Sequence, residues 1–333
     1  MASSDRTIKG KHVLVTGGAG FIGSHLVDSL VPEGARRLTV VDNFFWGSPT
    51  NLDDVRRQMP DVQIVAVDAS DEQALRKLFA QLGLVDVVFD LAVIPLPTSL
   101  ERPQFCFDTN VRITSVLCEL LREGHFETLV HFSSSEAYGS ARTVPMDEEH
   151  PLDPLTPYAA SKAASDHLVR TYAATFGVDA LVVRPFNNYG PRQNDRQYAG
   201  IIPTLLRCAF AERTFTLFGD GQQTRDYIYV TDTVRAALAL YTCPQARGQV
   251  INIGSGQEIS ISDLKSGIEH VLGKPIPCDY REPRPGDVRR HRADITLLEK
   301  LTGFKPRVSL NEGLARTVEF YRRRAGKSLT EVH

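Results

Sequence analysis

The stretch His12-Val-Leu-Val-Thr-Gly-Gly-Ala-Gly-Phe-Ile-Gly23 decides the fold. An apolar run of strand length meets Gly17, Gly20 and Gly23, and an apolar helical pattern follows from Phe21 to Leu30. This is a Gly-x-x-Gly-x-x-Gly form of the dinucleotide turn. The glycines permit a sharp turn and let the backbone approach a pyrophosphate at the helix start. Leu38-Thr-Val-Val-Asp42 reads as the second strand, so Asp42 lies 19 residues beyond Gly23. A carboxylate at that strand end accepts hydrogen bonds from ribose hydroxyls and repels a 2′-phosphate, which selects NAD over NADP. The competing reading of Asp42 is a solvated strand end or helix cap.

Working outward, strands and helices alternate. Further strands are expected at Gln63–Asp68, Val85–Asp90, Leu129–Ser133 and Ala180–Arg184. Helices are expected at Asp71–Leu82, at 103–123 and at Thr156–Thr175. That rhythm implies an α/β fold, a Rossmann-type doubly wound parallel sheet. After Pro185 the rhythm gives way to loops rich in Asn, Gly, Pro and Arg. Residues 7–184 are therefore expected to form the NAD-binding domain. Residues 185–325 are expected to form mainly a smaller C-terminal substrate-binding lobe, with segments near 226–262 returning to the first domain. Asp68, at the expected end of the third strand, reads either as a contact to the adenine amino group or as a helix cap before Glu72.

Composition narrows the function classes. The chain has 333 residues, 42% hydrophobic and 23% charged, with a net charge of −2. That charge implies no general attraction to nucleic acid or to an anionic membrane. The five cysteines include no Cys-x-x-Cys pair, which argues against a zinc site and a disulfide framework and suits a cytoplasmic protein. No apolar run reaches membrane-spanning length, and no metal is expected.

Tyr158-Ala-Ala-Ser-Lys162 places a phenol and an amine at i and i+4 of a helix, on one face. An ammonium near a phenol lowers its pKa and makes Tyr158 a general base for a sugar hydroxyl. Ser134, in Ser133-Ser-Ser-Glu-Ala-Tyr-Gly139, stands at a strand's carboxyl end, where α/β sites gather.

The glycine turn, the Ser-Ser-Ser-Glu stretch, Tyr158-x-x-x-Lys162 and Arg184-Pro-Phe-Asn-Asn-Tyr-Gly-Pro191 together resemble the extended short-chain dehydrogenase/reductase family. These are nucleotide-sugar epimerases, 4,6-dehydratases and decarboxylases, and the likeness runs to about residue 323. The resemblance implies that Tyr158 is the base, that Lys162 holds the nicotinamide ribose, and that Ser134 bonds the hydroxyl being oxidised. It also implies NAD contacts at Gly17, Gly20, Phe21, Ile22, Gly23, Asp42, Asn43, Asp68, Ala69, Leu91, Ala92, Asn110, Tyr158, Lys162 and Pro185. Substrate contacts are implied at Asn187, Arg192, Thr216, Phe218, Arg225, Arg284, His291 and Arg292. For the arginines the competing reading is surface ion pairs; for Phe218 it is lobe core. A homodimer paired through the two long helices is implied as well.

Family members share C4 oxidation and differ afterwards. Glu136, two residues after Ser134, is more than a simple 4-epimerase needs. Ser135 stands where the deoxythymidine-sugar dehydratases carry Asp, although guanosine-sugar dehydratases carry Ser-Glu. A Ser/Thr-Ser-Glu triplet also resembles UDP-glucuronate decarboxylases, as does the Pro-containing stretch at 91–100. Those enzymes carry Arg-Lys in the late loop, where this chain has His291-Arg292. The leading expectation is UDP-glucuronate decarboxylation to a UDP-4-keto-pentose or UDP-xylose. The alternatives are a 4,6-dehydratase, a 4-epimerase, and a non-catalytic protein that binds NAD or a nucleotide sugar.

Overall fold

The computed structural model describes residues 6–195, 200–282 and 288–330. Six strands build most of a seven-stranded parallel sheet: β1 His12–Thr16, β2 Arg37–Val41, β3 Gln63–Val65, β4 Val85–Asp90, β5 Phe126–Phe132 and β6 Asp179–Pro185. The strand Val250–Ile253 completes it beside β6, giving the order 250–253, β6, β5, β4, β1, β2, β3. The chain reverses direction across the sheet between β1 and β4, and the crevice at that switch point is where such sheets bind ligands.

The strands are apolar without a polar stripe because both faces are covered. Alternate residues enter two cores. Val13, Val15, Val87, Phe89, Val130 and Phe132 face one, packed under α1 (Phe21–Leu30) and the helix Val230–Thr242. Leu14, Val88 and Leu129 face the other. That second face is covered by α3 (Glu72–Leu82), α5 (Pro103–Arg122) and α6 (Pro157–Phe176). Each fully buried Leu, Val or Phe contributes about 1.5–3 kcal/mol, so these faces dominate the folding free energy. A third core, with Leu205, Leu217, Leu264 and Leu314, lies under the later helices.

The elements differ from the sequence reading at several points. β3 stops at Val65, so Asp68 lies in the following turn, and the cap of α3 is Asp71, whose side chain accepts from the Ala74 amide. A short helix, α2 (Asp53–Gln58), follows β2. The Pro-containing stretch is partly helical, as α4 (Leu96–Glu101), because Pro97 sits in the first turn where no amide donor is required.

Candidate active site

The glycine turn is forced by close approach. Gly17 has φ +65°, and a Cβ there would sit 2.6 Å from the Leu91 carbonyl oxygen. Gly20 caps α1 without offering a side-chain acceptor, which leaves the amides of the Phe21-Ile22-Gly23 turn suited to an anion. Thr16 ties the turn to the end of β4. Its hydroxyl donates to Asp90 at 2.8 Å and accepts from the Leu91 and Ala92 amides at 3.1 Å each.

Asp42 is buried and accepts from the Ala19 amide at 2.9 Å and the Phe44 amide at 2.8 Å. Burial raises its pKa and those two donors oppose the rise. Asn43 donates to Asp68 at 2.9 Å, and Asp68 also holds the Ser70 amide and hydroxyl beside the buried Ala69. Asp68 therefore fastens a turn rather than capping a helix. An uncapped helix start beside a carboxylate positioned by two main-chain donors fits a dinucleotide. Asn110 lies in the buried packing between the loop after β4 and the long helices. Its amide is buried and bonds Ile94 N at 2.7 Å, Ile94 O at 3.1 Å and Ser161 at 2.9 Å, so it locks the loop after β4 onto α5 and α6. Pro185 closes β6, paired with Ile253.

Tyr158 is the second residue of α6, whose start is set by Pro157 and by Thr156 capping the Ala159 amide at 3.1 Å. Lys162 follows one turn later, almost fully buried, and donates to the Phe132 carbonyl at 2.5 Å. Ser134 opens a short 3-10 turn, Ser135–Tyr138, and its hydroxyl lies near enough to the Tyr158 phenol to pull the phenol pKa down. It also accepts from the Glu136 amide at 3.2 Å. Tyr158, Ser134, Glu136 and Lys162 thus meet at the carboxyl ends of β5 and β6. The tyrosine pKa runs opposite to the sequence expectation. Burial pushes it up to about 12, the Ser134 hydroxyl pulls it down, and the Glu136 charge adds to the rise. Burial likewise lowers Lys162, against the nearby carboxylates Asp90 and Asp166.

Beneath Lys162 lies a buried polar group that sequence reading missed. His131 Nδ1 bonds Asp90 at 2.8 Å, and Arg184 donates to Asp166 at 3.1 and 2.6 Å. His131 Nε2 faces Asp166 at 4.0 Å. The signal was present: Asp90, His131 and Arg184 are polar letters in strands buried on both faces, where polar groups require partners.

Among the expected substrate residues, Asn187 lies in the short strand Asn187–Tyr189, which pairs in parallel with Tyr227–Tyr229. Its Nδ2 is buried with no hydrogen-bond partner among the described residues, as suits a donor awaiting a phosphate. Thr216 and Phe218 lie in the strand Phe215–Phe218, with Thr216 exposed and Phe218 half-buried. Arg225 donates to the carbonyls of Thr224 and Val288 at 2.9 and 2.7 Å. Arg284 lies outside the described residues.

Arg192 is engaged within the chain. It donates to Asp28 at 2.6 Å and Asp54 at 2.7 Å, bridging α1 and α2. Arg292 donates to the Gly256 carbonyl at 2.8 Å. His291 is the residue against the Ser135 main chain. Burial drops its pKa to about 4, with Arg225 adding to the fall, and its Nδ1 has no partner among the described residues.

Comparison with known proteins agrees with this geometry. Residues 13–254 match the model of the NAD dependent epimerase/dehydratase family. The chain is 36% identical over 314 residues to a UDP-glucose 4-epimerase of Mycolicibacterium smegmatis, covering 94% of this chain and 99% of that one. It is 32% identical over 324 residues to a UDP-N-acetyl-alpha-D-glucosaminuronate decarboxylase of Bacillus cytotoxicus, covering 94% and 98%. A solved dTDP-glucose 4,6-dehydratase of Streptomyces venezuelae with NAD bound superposes with a TM-score of 0.87 at 32% identity, covering 95% and 98%. Its cofactor is NAD, and the chain belongs to the NAD-dependent epimerase/dehydratase family of nucleotide-sugar enzymes.

Proposed function

We propose that this chain oxidises the C4 hydroxyl of a UDP-linked sugar and that Glu136 then transfers the C5 proton. NAD held at the glycine turn and Asp42 would supply the hydride acceptor for C4 and the donor for its return. Tyr158 takes the hydroxyl proton, Ser134 orients that hydroxyl, and Lys162 keeps a positive charge behind the phenol. Asn187 and Arg225 serve the diphosphate, the first through its unpartnered amide.

One observation carries the reading: Glu136 sits within the same turn as Ser134, and its charge is felt at the Tyr158 phenol. Simple inversion at C4 requires no such carboxylate. A C4 ketone acidifies the C5 proton, and Glu136 removes it, then passes it to the C6 hydroxyl as water leaves. That sequence is a 4,6-dehydration; the hydride that a bound NAD would hold returns to C6, and C5 regains its proton from Glu136 once that carboxylate has been reprotonated from solvent.

The second reading is decarboxylation of UDP-glucuronate, favoured by the Ser134-Ser135-Glu136 triplet. There the C5–C6 bond breaks, CO₂ departs, and Glu136 protonates C5. The surroundings of Ser135 favour dehydration. Arg289, Arg290 and Arg292 are bonded to Asp220, Glu258 and Gly256 respectively. His291, beside Ser135, is held neutral by burial, and a neutral ring attracts a C6 carboxylate less than a cation would.

The test is incubation with UDP-glucose, UDP-N-acetylglucosamine, UDP-glucuronate, dTDP-glucose and GDP-mannose, with products followed by NMR and mass. Water loss from a neutral UDP-hexose is expected, and CO₂ loss from the glucuronate would establish the second reading instead. Glu136→Gln should still form the reduced cofactor, seen by its absorbance, while product formation falls ~10²–10⁴-fold. Inversion at C4 without mass change, unaffected by Glu136→Gln, overturns both.

A further inference from the structure

The loop after β2 carries an aromatic cluster that none of the chemistry above uses. Phe45 and Trp46 are 48% and 39% exposed, large apolar rings at a loop tip. Their rings meet edge to face at 5.8 Å, and Phe45 reaches Phe105 at the start of α5 at 6.2 Å. The Arg102 guanidinium lies 4.0 Å from the centre of the Phe105 ring. The loop is fastened at its base to the dinucleotide turn. Asp42 holds the Phe44 amide, the Ser48 amide donates to the Ala19 carbonyl at 3.0 Å, and Asn51 donates to the same carbonyl at 2.9 Å. A Cβ on Gly47 would lie 2.8 Å from the Asp42 carboxylate and 2.9 Å from the Ala19 side chain, so the loop presses directly on both.

Topology gives this contact its meaning. β1 lies between β2 and β4 in the sheet. Phe45 leaves from the end of β2, and Phe105 follows β4 by way of α4. Moreover, α1 packs on one face of the sheet and α5 on the other. A contact between a loop anchored at the start of α1 and the first turn of α5 must therefore cross the carboxyl edge of the sheet. It passes in front of β1, where the glycine turn opens. That is the crevice in which a dinucleotide lies in this architecture.

We propose that Phe45, Trp46, Phe105 and Arg102 form a strap across the cofactor crevice that retains NAD between turnovers. The strap rests on pairwise ring contacts and not on main-chain hydrogen bonds to the dinucleotide. Its parting therefore limits release of the cofactor and leaves the pyrophosphate and ribose contacts intact. The design suits an enzyme that reuses one cofactor molecule, in which dissociation of the reduced form midway would strand the keto sugar.

Trp46 is the single tryptophan of the chain and reports on the strap directly. Protein loaded with NADH is mixed with excess NAD, and release is followed by energy transfer from Trp46 to the dihydronicotinamide. NADH should quench Trp46 emission. Phe45→Ser and Phe105→Ala should each speed release by about tenfold, the size of one lost aromatic contact. Phe105→Tyr, which keeps the ring, should stay within about twofold of the parent. Circular dichroism checks folding, and if Phe105→Ala fails to fold, Phe45→Ser decides, because its ring is half in solvent. Release rates unchanged in Phe45→Ser, or Trp46 emission indifferent to NADH, overturn the proposal. Neither result bears on the reaction assigned to Glu136.

Discussion

At the scale of single residues, the phenol of Tyr158 sets the pH behaviour. Its pKa is pushed up to about 12 by burial, so near neutrality the base form is a small fraction. Below the pKa that fraction grows tenfold for each pH unit gained, so C4 oxidation should accelerate with rising pH. Stopped-flow appearance of the reduced cofactor between about pH 6 and about pH 9 should give a log-rate slope near +1. Tyr158→Phe should lose ~10²–10⁴ in rate and abolish the slope while keeping the fold. A flat profile in the parent enzyme would remove Tyr158 from the role of base. The positions of Tyr158, Lys162, Ser134 and Asp42 were legible because each follows a turn or a helical spacing that fixes its direction. Asp90, His131 and Asp166 were not. Polar letters in buried strands show that Asp90 and His131 need partners without showing which, because strand order is not written in local spacing, and the partner of Asp166 depends on how α6 packs on the sheet.

At the scale of elements, polar side chains tie segments together where the sequence suggested ligand contacts. Asn110 locks the loop after β4, and Arg192 pins the chain beyond Asn187–Tyr189 to α1 and α2. Family spacing marks the positions of both residues, whereas their partners within the chain are decided by packing. The Asp28 carboxyl is raised by burial, and the Arg192 guanidinium pulls it back down. Arg192→Ala leaves that carboxyl uncompensated, and a stability loss of about 1–3 kcal/mol is expected. Urea denaturation should show it as a lower midpoint. The KM for the nucleotide sugar should shift by less than about twofold. A large rise in KM with unchanged stability would return Arg192 to the substrate site.

At the scale of the whole molecule, the chain crosses back to the main sheet after Pro185. After passing through Asn187–Tyr189 and Tyr227–Tyr229 it places the helix Val230–Thr242 on the main sheet's first face and adds Val250–Ile253 beside β6. Asp226 stands where these crossings converge. One carboxylate oxygen accepts from the Ser255 amide at 2.7 Å and its hydroxyl at 2.6 Å; the other accepts from the Gly256 amide at 2.9 Å and the Ala293 amide at 3.2 Å. Burial raises its pKa and all four donors oppose the rise. A carboxylate suits four donors, and a carboxamide does not, since its NH₂ would face two of them. Asp226→Asn should therefore destabilise nearly as much as Asp226→Ala, by about 3–5 kcal/mol, although it keeps the shape. Because the same side chain joins the segment after Val250–Ile253 to the later segment at Ala293, calorimetry should show one cooperative transition moved to lower temperature in both variants. Separation into two transitions, or a near-neutral Asp226→Asn, would mean that the lobes are held together elsewhere.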